Sequence, residues 1–120
     1  MKPEEHQRRF ENTDTLINEP IMAVDITKYC DWLAIMFYYG AAHLVDKHYA
    51  MRKRPFHPDN HSQRVDESRR LKRGNVVYKE FLLLYNAGLN ARYEPIFYDQ
   101  EDVKELKESY DAIKSILLTA

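Results

Sequence analysis

A chain of 120 residues is about one domain long, enough for a single core, and its composition (44% hydrophobic, 31% charged, three glycines) fits helices and disfavours a turn-rich sandwich or a disordered chain. Its net charge of −1 hides a strong segregation, and its single cysteine, Cys30, excludes an internal disulfide and a multi-cysteine zinc site. The first residues lack an apolar signal core, and no run approaches the roughly 18 apolar residues of a bilayer span, so a soluble, cytoplasmic protein with no membrane partner is expected.

Residues 4 to 17 read as a short, mostly polar helix with Phe10, Leu16 and Ile17 as its apolar contacts, and residues 1–20 as a peripheral helix or arm of a single domain spanning 1–120. Glu19-Pro20 interrupts it, because the residue before proline is pushed away from helical dihedrals. A long second helix is predicted from Ile21 or Asp25 to Met51. Trp32, Ile35, Met36, Tyr39 and His43 share one of its faces, and Leu33, Phe37, Gly40, Ala41 and Leu44 the neighbouring one. A helix apolar nearly all round is either central in a bundle or covered by another subunit.

Arg54-Pro55 ends that helix. Asp59 or Asn60 can cap a third helix over about 60–72, which Gly74 stops, and Asn75 can cap a fourth running to about Ala91 with Val77, Phe81, Leu84, Tyr85 and Gly88 inside. The link 92–98 reads as extended. Asp99 with Asp102 opens the last helix as a capping arrangement, and Val103, Leu106, Tyr110, Ile113 and Leu117 give it an amphipathic stripe. These elements predict an all-α fold, a four- to five-helix up-and-down bundle.

Charge is distributed unevenly along these elements. Between Lys47 and Arg73 there are nine basic residues against three acidic ones, whereas from Tyr93 onward seven acids face three lysines. A basic middle suits an anionic partner, or the acidic end of another subunit.

The segment His57-Pro58-Asp59-Asn60-His61-Ser62-Gln63-Arg64 concentrates the chemistry. At a helix start, His61 and Arg64 are three apart and share a face, an arrangement that suits a phosphate; alternatively Arg64 pairs with Asp66, Glu67 or an acid of the last helix, and His61 merely caps. His57 and His61 have the i, i+4 spacing of a shared metal, but Pro58 places His57 before the helix, and no metal or other cofactor is expected. His43 is either a satisfied core histidine or a site residue near His61, and the Tyr93 ring can pack under the link while its hydroxyl and the Arg92 guanidinium face a cleft. The run Arg69 to Arg73 can track a nucleic-acid backbone or simply be a solvated helix end, and the tyrosines in the helical stripes read as core.

Phe37-Tyr38-Tyr39-Gly40-Ala41-Ala42-His43-Leu44-Val45-Asp46, the His57–Arg64 segment, and Tyr85 with Ala91-Arg92-Tyr93 together resemble the HEPN superfamily of small helical bundles, over about residues 25 to 118. The resemblance implies a homodimer that binds RNA or a nucleotide. In one branch it is a metal-independent endoribonuclease or toxin; in the other it is a non-catalytic accessory subunit, an antitoxin or a partner of a nucleotidyltransferase-like protein. Cutting members use an arginine and a histidine with four to six residues between them, a spacing met by Arg52 with His57 and by Arg54 with His61. The implied site therefore has His57, His61, Arg54 and Arg64 as catalytic residues, with His43, Arg92 and Tyr93 binding the ligand. A histidine would serve as general base on the ribose 2′-hydroxyl, and an arginine would stabilise the phosphorane.

Overall fold

The computed structural model describes residues 1–94 and 97–118, and every regular element among them is helical. The helices are α1 (Pro3–Ile17), α2 (Cys30–Ala50), α3 (His61–Glu67), α4 (Gly74–Tyr93) and α5 (Gln100–Leu117), with 3₁₀ turns at Pro20–Met22 and Ser68–Arg70. No described helix is long and apolar enough to cross a membrane. Pro95 and Ile96 of the predicted extended link lie outside the described residues. Before them α4 runs on through Tyr93, and only Glu94 is extended.

The bundle is an up-and-down one, as the alternating chain directions show. Tyr38 of α2 stacks on Phe81 of α4, while Gly88 of α4 abuts Ala34 and Ile35, so α4 runs antiparallel to α2. Contacts of Asp31 with Tyr98, Gly40 with Tyr110 and His48 with Leu117 make α5 parallel to α2. α1 returns along α2, with Asp14 held by Tyr110 and Lys114 of α5. α2 is therefore the hub, and α3 is a short cross-piece against α2 and α4.

Local signals explain the helix starts. Asn60 caps α3, its side chain accepting from the Gln63 amide at 2.8 Å, while the Gln63 side chain accepts from the Asp59 amide. Asp99 and Asp102 close both bonds of the capping box of α5, at 2.9 and 3.0 Å. In α1 the inward-facing residues are His6, Phe10 and Ile17, and Leu16 points outward.

Three expectations about the elements need correction. α2 begins at Cys30, later in the chain than Ile21 or Asp25, because Pro20 starts a 3₁₀ turn and Ala23 then leaves helical space with ψ 127°. Of the two apolar faces of α2, the deep one is Leu33, Phe37, Ala41 and Leu44, and Trp32 is 64% exposed. Periodicity cannot rank the faces of a helix apolar all round. The choice is made by Gly40, where a Cβ would stand 2.8 Å from the Tyr110 hydroxyl, so that α5 closes on this side. Finally, α3 stops at Glu67, and Gly74 is the first residue of α4 rather than a stop; Arg73 before it takes the left-handed φ of 49° and Asn75 makes no cap.

Three tyrosines lie wholly inside the core and still bond their hydroxyls: Tyr38 with His61, Tyr49 to the Arg64 carbonyl and Tyr110 to Asp14. Buried hydroxyls need such partners, and here two of them tie α3 to α2.

Candidate functional site

The site is built around Arg64. Because α3 starts at His61, Arg64 falls one turn later on the same face, and that face packs toward α2. There Arg64 Nε donates to Asp46 Oδ1 at 2.8 Å and Nη1 to His61 Nδ1 at 2.9 Å. The Tyr38 hydroxyl lies 2.7 Å from the same Nδ1. The side chains of Arg64 and Asp46 are only 17% and 12% exposed, so the pair is largely withdrawn from water. The expected partners Asp66, Glu67 or an acid of α5 are not used by Arg64; the rotation of α3 selects Asp46, 18 residues earlier.

This geometry fixes the His61 tautomer. A guanidinium can only donate, so Nδ1 must be unprotonated and accept from Arg64, with Tyr38 donating to it as well. The ring proton then sits on Nε2, which has no protein partner among the described residues. Burial, followed by the Arg64 and Arg92 charges, holds His61 below the ordinary imidazole range against the opposing pull of Asp46. Burial likewise pushes the Tyr38 hydroxyl up to about 12, which keeps it a proton donor.

Two clusters adjoin Arg64. The first is a cavity of about 260 Å³ whose walls come from α1 (His6, Arg9), α2 (His43, Asp46), the loop at Phe56–Pro58 and Arg64. His61 does not line this cavity. Its ring instead belongs to the second cluster, with ring centres 5.3, 6.0 and 6.2 Å from Tyr38, Tyr39 and Tyr85. There Arg92 donates from Nη1 to the Tyr39 hydroxyl, and its guanidinium lies over the rings of Tyr39 and Tyr93 at 5.5 and 5.3 Å. Arg92 Nε is buried with no hydrogen-bond partner.

The residues singled out from the sequence thus divide. His43, His57 and Arg64 meet at the cavity; His61, Arg92 and Tyr93 meet at the aromatic cluster; Arg54 is exposed and lines neither. Arg52 turns away to Glu67, at 2.6 Å, and onto the Tyr49 ring. In the basic run, Arg69 lies over Tyr78 at 3.9 Å and Arg70 reaches Glu67. Among the described residues no three His, Cys, Asp or Glu side chains gather as a metal-binding group. The contributions of His6 and Arg9 were missed, although one signal was present: His6 is four residues before Phe10 and therefore on the inward face of α1.

Acidification should loosen this assembly. Burial is the leading cause that lowers the pKa of His6, His43, His48 and His61, partly offset by Asp46 at His6, His43 and His61 and by the Leu117 carbonyl at His48. Each folded value lies below the unfolded one, so the unfolded chain binds protons first; the stability is fully present above about pH 6.5 and is lost as pH falls through the folded values. Thermal melts should give a constant Tm between about pH 8 and 7 and a clear fall by about pH 5.5. An unchanged Tm across that range would contradict the burial of these rings.

No family model matches the chain, and no curated protein or solved structure matches it either.

Proposed function

We propose that this protein binds RNA or a nucleotide, as a HEPN-like bundle, with Arg64 contacting phosphate and the Tyr39–Tyr85–Arg92 cluster holding a base. The observation that carries the reading is the fixed guanidinium of Arg64, anchored by Asp46 and standing between a cavity rich in imidazoles and an aromatic cluster with a second arginine. Aromatic rings and guanidinium planes are the usual platforms for unstacked bases, and fixed cations the usual grip on phosphate.

Binding is favoured over cutting. A general base needs a free, unprotonated nitrogen; in His61 that nitrogen is engaged by Tyr38 and Arg64, and Nε2 carries the proton, which makes the ring a donor to a phosphate oxygen. This supports the non-catalytic branch of the resemblance, an accessory or antitoxin-like subunit beside a nucleotidyltransferase-like protein. A homodimer is part of the same reading, supported by the exposed Trp32 ring on the α2 face that carries Tyr39 and His43.

Fluorescence anisotropy with a short labelled single-stranded oligoribonucleotide tests it. One arginine contact to phosphate predicts a slope of about −0.7 in log affinity against log salt, roughly a 2.6-fold loss from 50 to 200 mM. The RNA should stay intact in the same mixtures. Absent or salt-insensitive binding would overturn the reading, and cleavage that persists in excess chelator would replace it with the ribonuclease branch.

A further inference from the structure

We infer that the cavity under α1 receives a phosphomonoester, the terminal phosphate of an oligoribonucleotide or nucleotide, held by His6 and Arg9 from α1 together with Arg64. The inference rests on the RNA- or nucleotide-binding reading above and deepens it by assigning the end of the ligand.

The first ground is shape. Four parts of the fold, α1, α2, the loop at Phe56–Pro58 and α3, wall a space of about 260 Å³. Side chains from all four converge on it, the arrangement that a compact anionic group with several acceptor oxygens requires. The second ground is the donor set. Two guanidinium groups and three imidazoles face the cavity against one carboxylate, Asp46, whose Oδ1 is already engaged by Arg64. An internal phosphodiester offers two non-bridging oxygens and one negative charge. A terminal phosphate offers three strong acceptor oxygens and close to two charges, which matches the donors better.

The third ground is the state of the α1 side chains. His6 is 8% exposed and its Nδ1 is buried without a hydrogen-bond partner, a costly arrangement for a polar atom. Arg9 makes no ion pair among the described residues, although its charge acts on both His6 and His43. An α1 that served only as a structural cover would do better with an apolar residue in place of the buried His6. Polar, unpaired groups at the wall of a basic cavity are instead accounted for by an anionic ligand that satisfies them.

The test compares one oligoribonucleotide sequence in three forms: 5′-phosphorylated, 3′-phosphorylated, and hydroxyl at both ends. One phosphorylated form should bind at least about tenfold tighter than the hydroxyl-ended form, the worth of one charge-assisted contact. Which form gains tells which end is held. Arg9→Ala, an exposed side chain whose loss should leave the melt unchanged, should weaken the preferred form at least about tenfold more than the hydroxyl-ended one. His6→Gln should act in the same direction. Equal affinity for all three forms overturns the inference while leaving RNA binding intact, and so does an Arg9→Ala loss that is equal on all forms. Failure of even the hydroxyl-ended RNA to bind would overturn the underlying reading as well.

Discussion

Arg64→Ala is expected to reduce oligoribonucleotide affinity at least about a hundredfold, as removal of a central, fixed arginine does at binding sites. It should also cost about 2–3 kcal/mol of stability, since Asp46 is left as a nearly buried, unpaired carboxylate. That cost is set below the range for fully buried pairs because both side chains keep some contact with water. The mutation also frees His61 Nδ1 from Nη1, and the loss should appear as a fall in Tm of roughly 10 °C. Stability and binding can be separated. In Asp46→Ala/Arg64→Ala no carboxylate is stranded, so part of the Tm should return while the affinity stays lost. Recovery of RNA binding in the double variant would show that Arg64 acts only as a structural counter-ion. Arg64→Lys should keep some affinity but not the two fixed bonds of Nε and Nη1, because an ammonium has no planar fork.

Gly74→Ala should produce the largest loss of stability among the alanine substitutions of the three glycines. A Cβ at Gly74 would lie 1.9 Å from the carbonyl oxygen of Arg69, a backbone atom with no rotamer by which to move aside. The 3₁₀ turn at Ser68–Arg70 would have to separate from the start of α4. A cost of about 3 kcal/mol or more follows, near the upper end for overpacking because the obstacle is main chain. Urea denaturation should show the midpoint lowered at an unchanged slope. A midpoint equal to the wild type would mean that the corner between α3 and α4 is looser than described. Gly40→Ala meets the buried Tyr110 phenol at 2.8 Å, a side chain and not main chain, and should therefore cost less.

What the sequence disclosed followed the reach of local geometry. Asn60 and the Asp99–Asp102 pair were legible as caps because a cap is decided within three or four residues, and the α5 stripe because its faces differ clearly in polarity. The α2 face was not legible, since both candidate faces are apolar and the deciding contact is with Tyr110, seventy positions away. The same limit applies to the site. His61 and Arg64 were seen together because one helical turn joins them. Asp46, Tyr38, His6 and Arg9 join them only through the packing of α1, α2 and α3. The arginine–histidine spacings that drew attention to Arg52 and Arg54 carried no such geometry, and the chain turns one toward Glu67 and leaves the other exposed.

Chemical-shift mapping reports, residue by residue, whether RNA meets the fixed guanidinium of Arg64. Isotope-labelled protein titrated with the hydroxyl-ended oligoribonucleotide should show its largest amide and imidazole changes at Tyr39, His61, Arg64, Tyr85 and Arg92, the groups gathered on the aromatic side of the anchored guanidinium. Changes confined to the basic run Arg69–Arg73, with the His61 imidazole unmoved, would contradict that contact.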